Sequence, residues 1–175
     1  ETYTLNIKDI GTGGFIDKFE GLTDADSTMV WGKDDTTVFY ITMDEQHRPY
    51  KAHKHTVGTD VKEDVLLYEE DDELFSVQIE KSQDEKYLFI TSASKETTEV
   101  RYISLDEGGT EINLVAKRRK KVLYDVEHRE GKFYISTNVG GLPNLQLVSC
   151  DVKPNCENDW TIVVDENDGV LFDGG

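Results

Sequence analysis

The chain of 175 residues predicts an all-β fold of propeller type, and three observations carry that prediction. Short β-rich segments begin at Tyr3, Tyr50, Glu99 and Asn144, so their starts lie 47, 49 and 45 residues apart. Companion strands recur in phase with these four, and no helical stretch separates them. A strand-only period of that size is the mark of propeller blades, each a four-stranded antiparallel sheet.

The elements follow in order. Residues 1–26 supply part of a blade, with a strand over 3–10 and a closing strand at Phe15-Ile16-Asp17. Residues 27–73 form a full blade: a strand ending in Val30-Trp31, a polar turn at 33–37, Val38-Phe39-Tyr40-Ile41-Thr42, a strand over 50–57, and Val65-Leu66-Leu67-Tyr68. Residues 74–121 repeat it as Val77-Gln78-Ile79, a turn at 82–86, Tyr87-Leu88-Phe89-Ile90-Thr91, a strand over 99–106, and Ile112-Asn113-Leu114-Val115. Residues 122–175 do so again as Tyr124-Asp125-Val126, a turn at 128–131, Lys132-Phe133-Tyr134-Ile135-Ser136, a strand over 144–151, and Thr161-Ile162-Val163-Val164. The prediction is therefore about three full blades plus part of another.

A compact chain of this length buries roughly 70% of its unfolded surface, enough for a core. Propellers, however, close with about 4 to 8 blades. Two arrangements satisfy the repeat: a small four-bladed propeller closed by its ends, or a piece of a longer protein. The chain starts without Met, partway into a repeat, and the expectation is the piece.

No apolar run approaches the ~18 residues of a membrane span, and no signal peptide is visible. A cytoplasmic protein is expected. Cys150 and Cys156 flank a short loop around Pro154-Asn155. A local disulfide is sterically conceivable there, but free thiols are the expectation, and without a nearby His they make a poor zinc site.

Acidic residues number 36 against 19 basic, a net charge of -17. Nucleic acid is disfavoured as a partner, because phosphate binding needs the opposite sign. An acidic surface instead concentrates cationic ligands, and a channel focuses that field. Glu69-Glu70-Asp71-Asp72-Glu73, Asp24 and Asp26 are the carboxylates that face either a channel or bulk water. Against this trend runs Lys117-Arg118-Arg119-Lys120-Lys121, read as a solvated connection between repeats, with a localisation signal, polyanion site or proteolytic nick site as alternatives.

Catalytic patterns are missing. None of the eight serines has a glycine two residues before it, so there is no G-x-S-x-G elbow, and the phosphate loop and H-E-x-x-H are absent too. His53 and His55 sit two apart on one strand and are read as paired surface positions rather than metal ligands. Asp165-Glu166-Asn167-Asp168-Gly169 misplaces the glycine of a calcium loop and reads as a turn. No cofactor, metal or catalytic residue is assigned, and the substrate-binding residues are left open.

The most distinctive string is Asp44-Glu45-Gln46-His47-Arg48-Pro49-Tyr50-Lys51, a D-E-x-x-R-P-x-K pattern between two strands. With Val126-Glu127-His128-Arg129, Lys132-Phe133-Tyr134-Ile135, Thr137-Asn138, Tyr3-Thr4-Leu5-Asn6-Ile7-Lys8-Asp9 and Leu67-Tyr68-Glu69-Glu70, it stands in order across nearly the whole chain. In this the sequence resembles the oligopeptidase B branch of the prolyl oligopeptidase family of serine peptidases. Ala52-His53-Lys54 departs from the pattern, which has an apolar residue, an aromatic and an Arg there.

The resemblance implies a parent protein that joins a seven-bladed propeller to an α/β-hydrolase domain carrying the Ser, Asp and His of the triad. It implies cleavage of short peptides after Arg or Lys, with the propeller as a gate that filters substrates. The hydrolase domain of the same parent chain and short basic peptides are the partners expected, with neither nucleic acid nor membrane. This segment contains no triad and is expected to be inactive alone. A non-enzymatic propeller serving as a protein-interaction platform is the rival reading.

Overall fold

The computed structural model describes residues 2–165 apart from 107 and 109, so most of the calcium-loop-like string at 165–169 lies outside the described residues. Among the described residues there is no α-helix, only strands and two short 3-10 turns, Val61–Glu63 and Cys156–Asp159. No helix is long and apolar enough to cross a membrane. The chain divides into two compact units, residues 1–80 and 81–175.

In the first unit β1 (Asn6–Lys8) and β2 (Phe15–Lys18) pair as an antiparallel hairpin. Then β3 (Ala25–Trp31), β4 (Thr37–Met43), β5 (Pro49–Thr56) and β6 (Val65–Glu69) form one antiparallel sheet in chain order. Strand β4 is buried at all seven positions, which its Val-Phe-Tyr-Ile composition demands of a strand covered on both faces. Leu5, Ile7, Phe19, Ala25, Val38 and Tyr40 make a core between the hairpin and this sheet. The strand β7 (Ser76–Lys81) follows at the sequence division.

In the second unit β8 (Tyr87–Ala93), β9 (Thr98–Ser104) and β10 (Asn113–Leu114) pair consecutively. The last sheet runs β11 (Tyr124–Arg129), β12 (Lys132–Thr137), β13 (Gln146–Asp151) and β14 (Thr161–Val164). Glu130 and Gly131 both take positive φ between the paired Arg129 and Lys132, the two-residue turn that matches strand twist. Phe89, Tyr102, Val126, Phe133, Ile135 and Val148 pack across the two sheets. Each sheet is an up-and-down antiparallel ladder of the kind a propeller blade requires.

The structure corrects the expectation of free thiols, because Cys150 and Cys156 form a disulfide. Asn155 turns the chain with a left-handed backbone (φ 54°), folding Cys156 back towards the end of β13. The Asn155 and Cys156 amides then donate to the carbonyls of Leu114 and Val115 (2.7 and 3.0 Å). The bridge therefore holds a loop that extends the edge of β10, and both cysteines lie in the core.

Closing so short a loop stabilises by about 2 kcal/mol in the chain-entropy account. Paired Cys150→Ser and Cys156→Ser substitutions are expected to lower the unfolding free energy by about that amount. Two titratable thiols in the native protein, with unaltered stability in the double variant, would contradict the bridge.

Candidate functional site

The first unit brings together side chains that the sequence scatters over three strands and the loops beside them. Strand β5 alternates its faces, so His53 and His55 project together, and β4 supplies Tyr40 and Thr42 beside them. The reading of these histidines as surface positions is wrong. His55 is fully buried, with Nδ1 2.6 Å from Asp64 Oδ1 and Nε2 3.0 Å from Asp17 Oδ2. His53 is half-buried, stacked on the Tyr40 ring at 5.0 Å, with its Nε2 3.0 Å from the Thr42 hydroxyl. Phe19, 4.3 Å from the His55 ring, seals the other side.

The physical cause is pairing rather than apolarity. A buried imidazole is tolerated because each ring nitrogen meets a carboxylate, and those carboxylates have further partners. Asp17 also accepts from the Gly58 amide, and Asp64 accepts from the Tyr40 hydroxyl at 2.7 Å. Burial opposes the charge on Asp17, yet the Gly58 amide and the bond and charge of His55 outweigh it and hold the carboxyl below its ordinary value. Burial, followed by the Asp64 bond and charge, drives the Tyr40 hydroxyl far upward. Burial also lowers His53, against the opposing pull of Asp64.

Over this network opens a cleft of about 310 Å³ whose lining includes Asp24, Tyr40, Tyr50, Lys51, His53 and Asp64. It offers both hydrogen-bonding groups and ring faces. Among the described residues no serine or cysteine lines it, and the neighbouring His55 is held by carboxylates at both nitrogens, so neither is open to act as a base towards a serine. Among the described residues no group of three or more His, Cys, Asp or Glu could hold a metal.

The acidic run divides in two. Glu70 is buried and accepts from the Tyr68 hydroxyl (2.7 Å) and the Asp72 amide (3.0 Å), while Asp72 accepts from the Leu74 amide (3.0 Å). Glu69 pairs with Lys51 at 3.3 Å. Asp71 and Glu73 are the two exposed carboxylates not engaged in shaping this turn. Asp26 accepts from the Thr28 amide at 2.9 Å and lines a separate hollow of about 250 Å³ that includes Ile41, Val77 and Glu80.

The D-E-x-x-R-P string proves to be a structural clamp. Asp44 accepts from the Gln46 and Arg48 amides (3.0 and 2.9 Å) and from Arg48 Nε (2.8 Å). Arg48 Nη1 donates to the carbonyls of Glu70, Asp72 and Phe75 at 3.2, 3.2 and 2.9 Å. A guanidinium suits this because its planar fork fixes Nε on the Asp44 carboxylate while Nη1 faces the carbonyls, two donor nitrogens in fixed geometry where an ammonium has one. In the second unit the basic segment is tied down similarly. The Arg118 amide donates to Glu99 (3.0 Å) and its guanidinium to Ser92 (3.0 Å), Lys121 N donates to Thr97 (3.0 Å), and Arg119 lies over Trp160. The side chains of Lys117, Arg119, Lys120 and Lys121 remain exposed.

Asp17, Asp64 and Tyr40 were not singled out by sequence reasoning. The only signal for them was a histidine alternating with Ala52 on a strand next to a largely apolar one, which marks a covered face.

Residues 1–174 match the family described as "Prolyl oligopeptidase, N-terminal beta-propeller domain". "Protease 2" of Moraxella lacunata is 39% identical over 153 residues, covering 87% of this chain and 22% of its own length. "Dipeptidyl aminopeptidase BI" of Pseudoxanthomonas mexicana is 30% identical over 98% of this chain and 24% of its own length. Among solved structures, oligopeptidase B from Leishmania major superposes with a TM-score of 0.86 at 35% identity, covering 94% of this chain and 23% of that one. The chain thus spans about a quarter of the length of these relatives.

Two outcomes follow from the buried network and the clamp. Because the folded-state pKa of Asp17 is depressed, its contribution is present above the ordinary carboxylate value of 3.8 and is lost as pH falls through the lower folded value. The stability gap between wild type and Asp17→Asn, read by urea unfolding, is therefore expected to shrink as pH is lowered below the ordinary carboxylate value; a gap that stays constant on acidification would remove the linkage. Arg48→Ala is expected to cost about 2 to 4 kcal/mol, and Arg48→Lys to recover only part of it. Full recovery by lysine would show that charge alone, and not the fork, holds the turn.

Proposed function

Because the chain belongs to the prolyl oligopeptidase N-terminal β-propeller family, we propose that it is the substrate-filtering propeller segment of a serine oligopeptidase that cleaves short peptides after Arg or Lys. The observation that carries the reading is the family match over residues 1–174, together with 35% identity and close superposition on oligopeptidase B. The catalytic serine, its base and its oxyanion donors belong in this reading to an α/β-hydrolase domain of the same parent chain. The propeller's contribution is access: blade loops meet that domain, and their opening and closing admit small peptides and shut out folded proteins.

Charge supports the preference for basic peptides. A net of -17 surrounds the site with a field that draws cations, strongest at low ionic strength. Asp71 and Glu73 are the members of the acidic run suited to this steering, since Glu70 and Asp72 are engaged in the turn and Glu69 in its pair with Lys51.

Hydrolysis of a short Arg-containing peptide by the full natural polypeptide, blocked by a serine-directed covalent inhibitor and absent for a folded protein substrate, is the expected result. An intact, folded full-length protein that cleaves neither would favour an interaction platform. The combined Asp71→Asn and Glu73→Gln variant is expected to raise KM for basic peptides about two- to fivefold at low salt, with kcat unchanged and the difference fading at high salt. An unaltered KM at low salt would take the steering role away from these two residues.

A further inference from the structure

The second unit contains a cleft of about 360 Å³ that neither the network around His55 nor the peptidase reading uses. One wall is aromatic: Tyr87 and Tyr102 meet edge to face, with ring centroids 5.7 Å apart. That wall is rigidly backed, because His128 packs on Tyr87 at 4.6 Å and Phe133 on Tyr102 at 4.9 Å. His128 is itself fixed, 2.8 Å from the Asp84 carboxylate through Nδ1. Val152 and Pro154, on the loop closed by the Cys150 to Cys156 disulfide, supply an apolar side. Glu111 and Asn113 supply the polar one, and among the described residues no lysine, arginine or histidine lines the cleft.

These are the components that recognise an organic cation. Ring faces carry negative quadrupole charge and attract a guanidinium or ammonium, and a carboxylate at the rim adds a charged acceptor. The apolar side accommodates the methylene stem that such groups carry. An anion would meet Glu111 with no compensating positive group, and a purely apolar ligand would strand the carboxylate and the amide. Burial, then Tyr87 and the Glu111 charge, push the Tyr102 hydroxyl up to about 12.

We propose that the cleft between Tyr87, Tyr102 and Glu111 is a binding site for an alkyl-guanidinium or alkyl-ammonium group. It stands on the geometry of this cleft and does not require the parent to be a peptidase. A basic side chain of a peptide and a free organic base share this chemistry.

The test uses the full-length natural protein, treated with the serine-directed inhibitor so that the hydrolase domain contributes no second site, and titrates it calorimetrically. The probes are N-acetyl-arginine amide, its uncharged isostere N-acetyl-citrulline amide, and the free base agmatine. Saturable binding of the arginine derivative or agmatine, lost with citrulline and weakened roughly fivefold by Glu111→Gln, is the expected result. Glu111 is exposed, so its substitution leaves the core untouched. The stronger of the two cationic probes identifies the source, peptide-borne or free. No saturable binding, equal binding of arginine and citrulline, or equal affinity in Glu111→Gln would overturn the site. Peptide hydrolysis measured on uninhibited samples tests the peptidase reading independently.

Discussion

The first unit depends on a polar side chain held in its interior. His55 has no contact with solvent, and it stays there only because Asp17 from the β1–β2 hairpin and Asp64 from the loop before β6 meet both its ring nitrogens. One imidazole thereby joins the hairpin, the middle of the sheet and the loop before its outer strand. Removing either carboxylate leaves a buried polar group with an unmet partner, which costs more than the bond itself is worth. The same network positions Tyr40 through Asp64, and Tyr40 in turn carries the stacked His53 at the floor of the cleft.

Loops of this chain are organised by side chains that reach main-chain atoms. Arg48 collects three carbonyls of the 70–75 turn, and the Arg118 amide and guanidinium are held by Glu99 and Ser92. Tyr124 does comparable work inside the second unit, receiving the Val100 amide at 2.8 Å and donating to the Ala116 carbonyl at 2.7 Å. Short strands with irregular connections leave backbone groups without ladder partners, and these polar side chains supply them. The strings that most distinguish the sequence are therefore bound up with holding blade loops in place.

Acidity plays two parts. Some carboxylates are structural, such as Glu70, Asp44 and Asp17, and are consumed by hydrogen bonds within the fold. Others, such as Asp71, Glu73 and Glu111, stand at the surface with their charge available to solvent and ligand. Total charge therefore overstates the field that a passing cation meets near the structural group and describes it better near the second. Apolar side chains also stand exposed on outer strands, Phe15 and Ile16 on β2 and Ile162 and Val163 on β14. Lys8 and Lys18 lie over the Phe15 ring, covering it with cationic stems.

The sequence by itself determined the strand order, the period and the class of fold. A hydrophobic alternation of two residues and polar turns are local properties, legible wherever they recur, and β4, β8 and β12 coincide with the strands expected at 38–42, 87–91 and 132–136. The family resemblance was legible for the same reason, through strings such as the one from Asp44 to Lys51. Only the tertiary structure decided which polar residues were buried and with whom. Asp17 and His55 lie 38 positions apart and Arg48 and Phe75 lie 27 apart, and nothing local encodes such pairs. The pairing of Cys150 with Cys156 was equally undetermined, because it rests on a left-handed turn at Asn155 and on bonds to Leu114 and Val115 in another sheet. Burial and partnership are properties of the packed chain, and a charge pattern acquires its meaning only once packing has chosen which charges are spent inside.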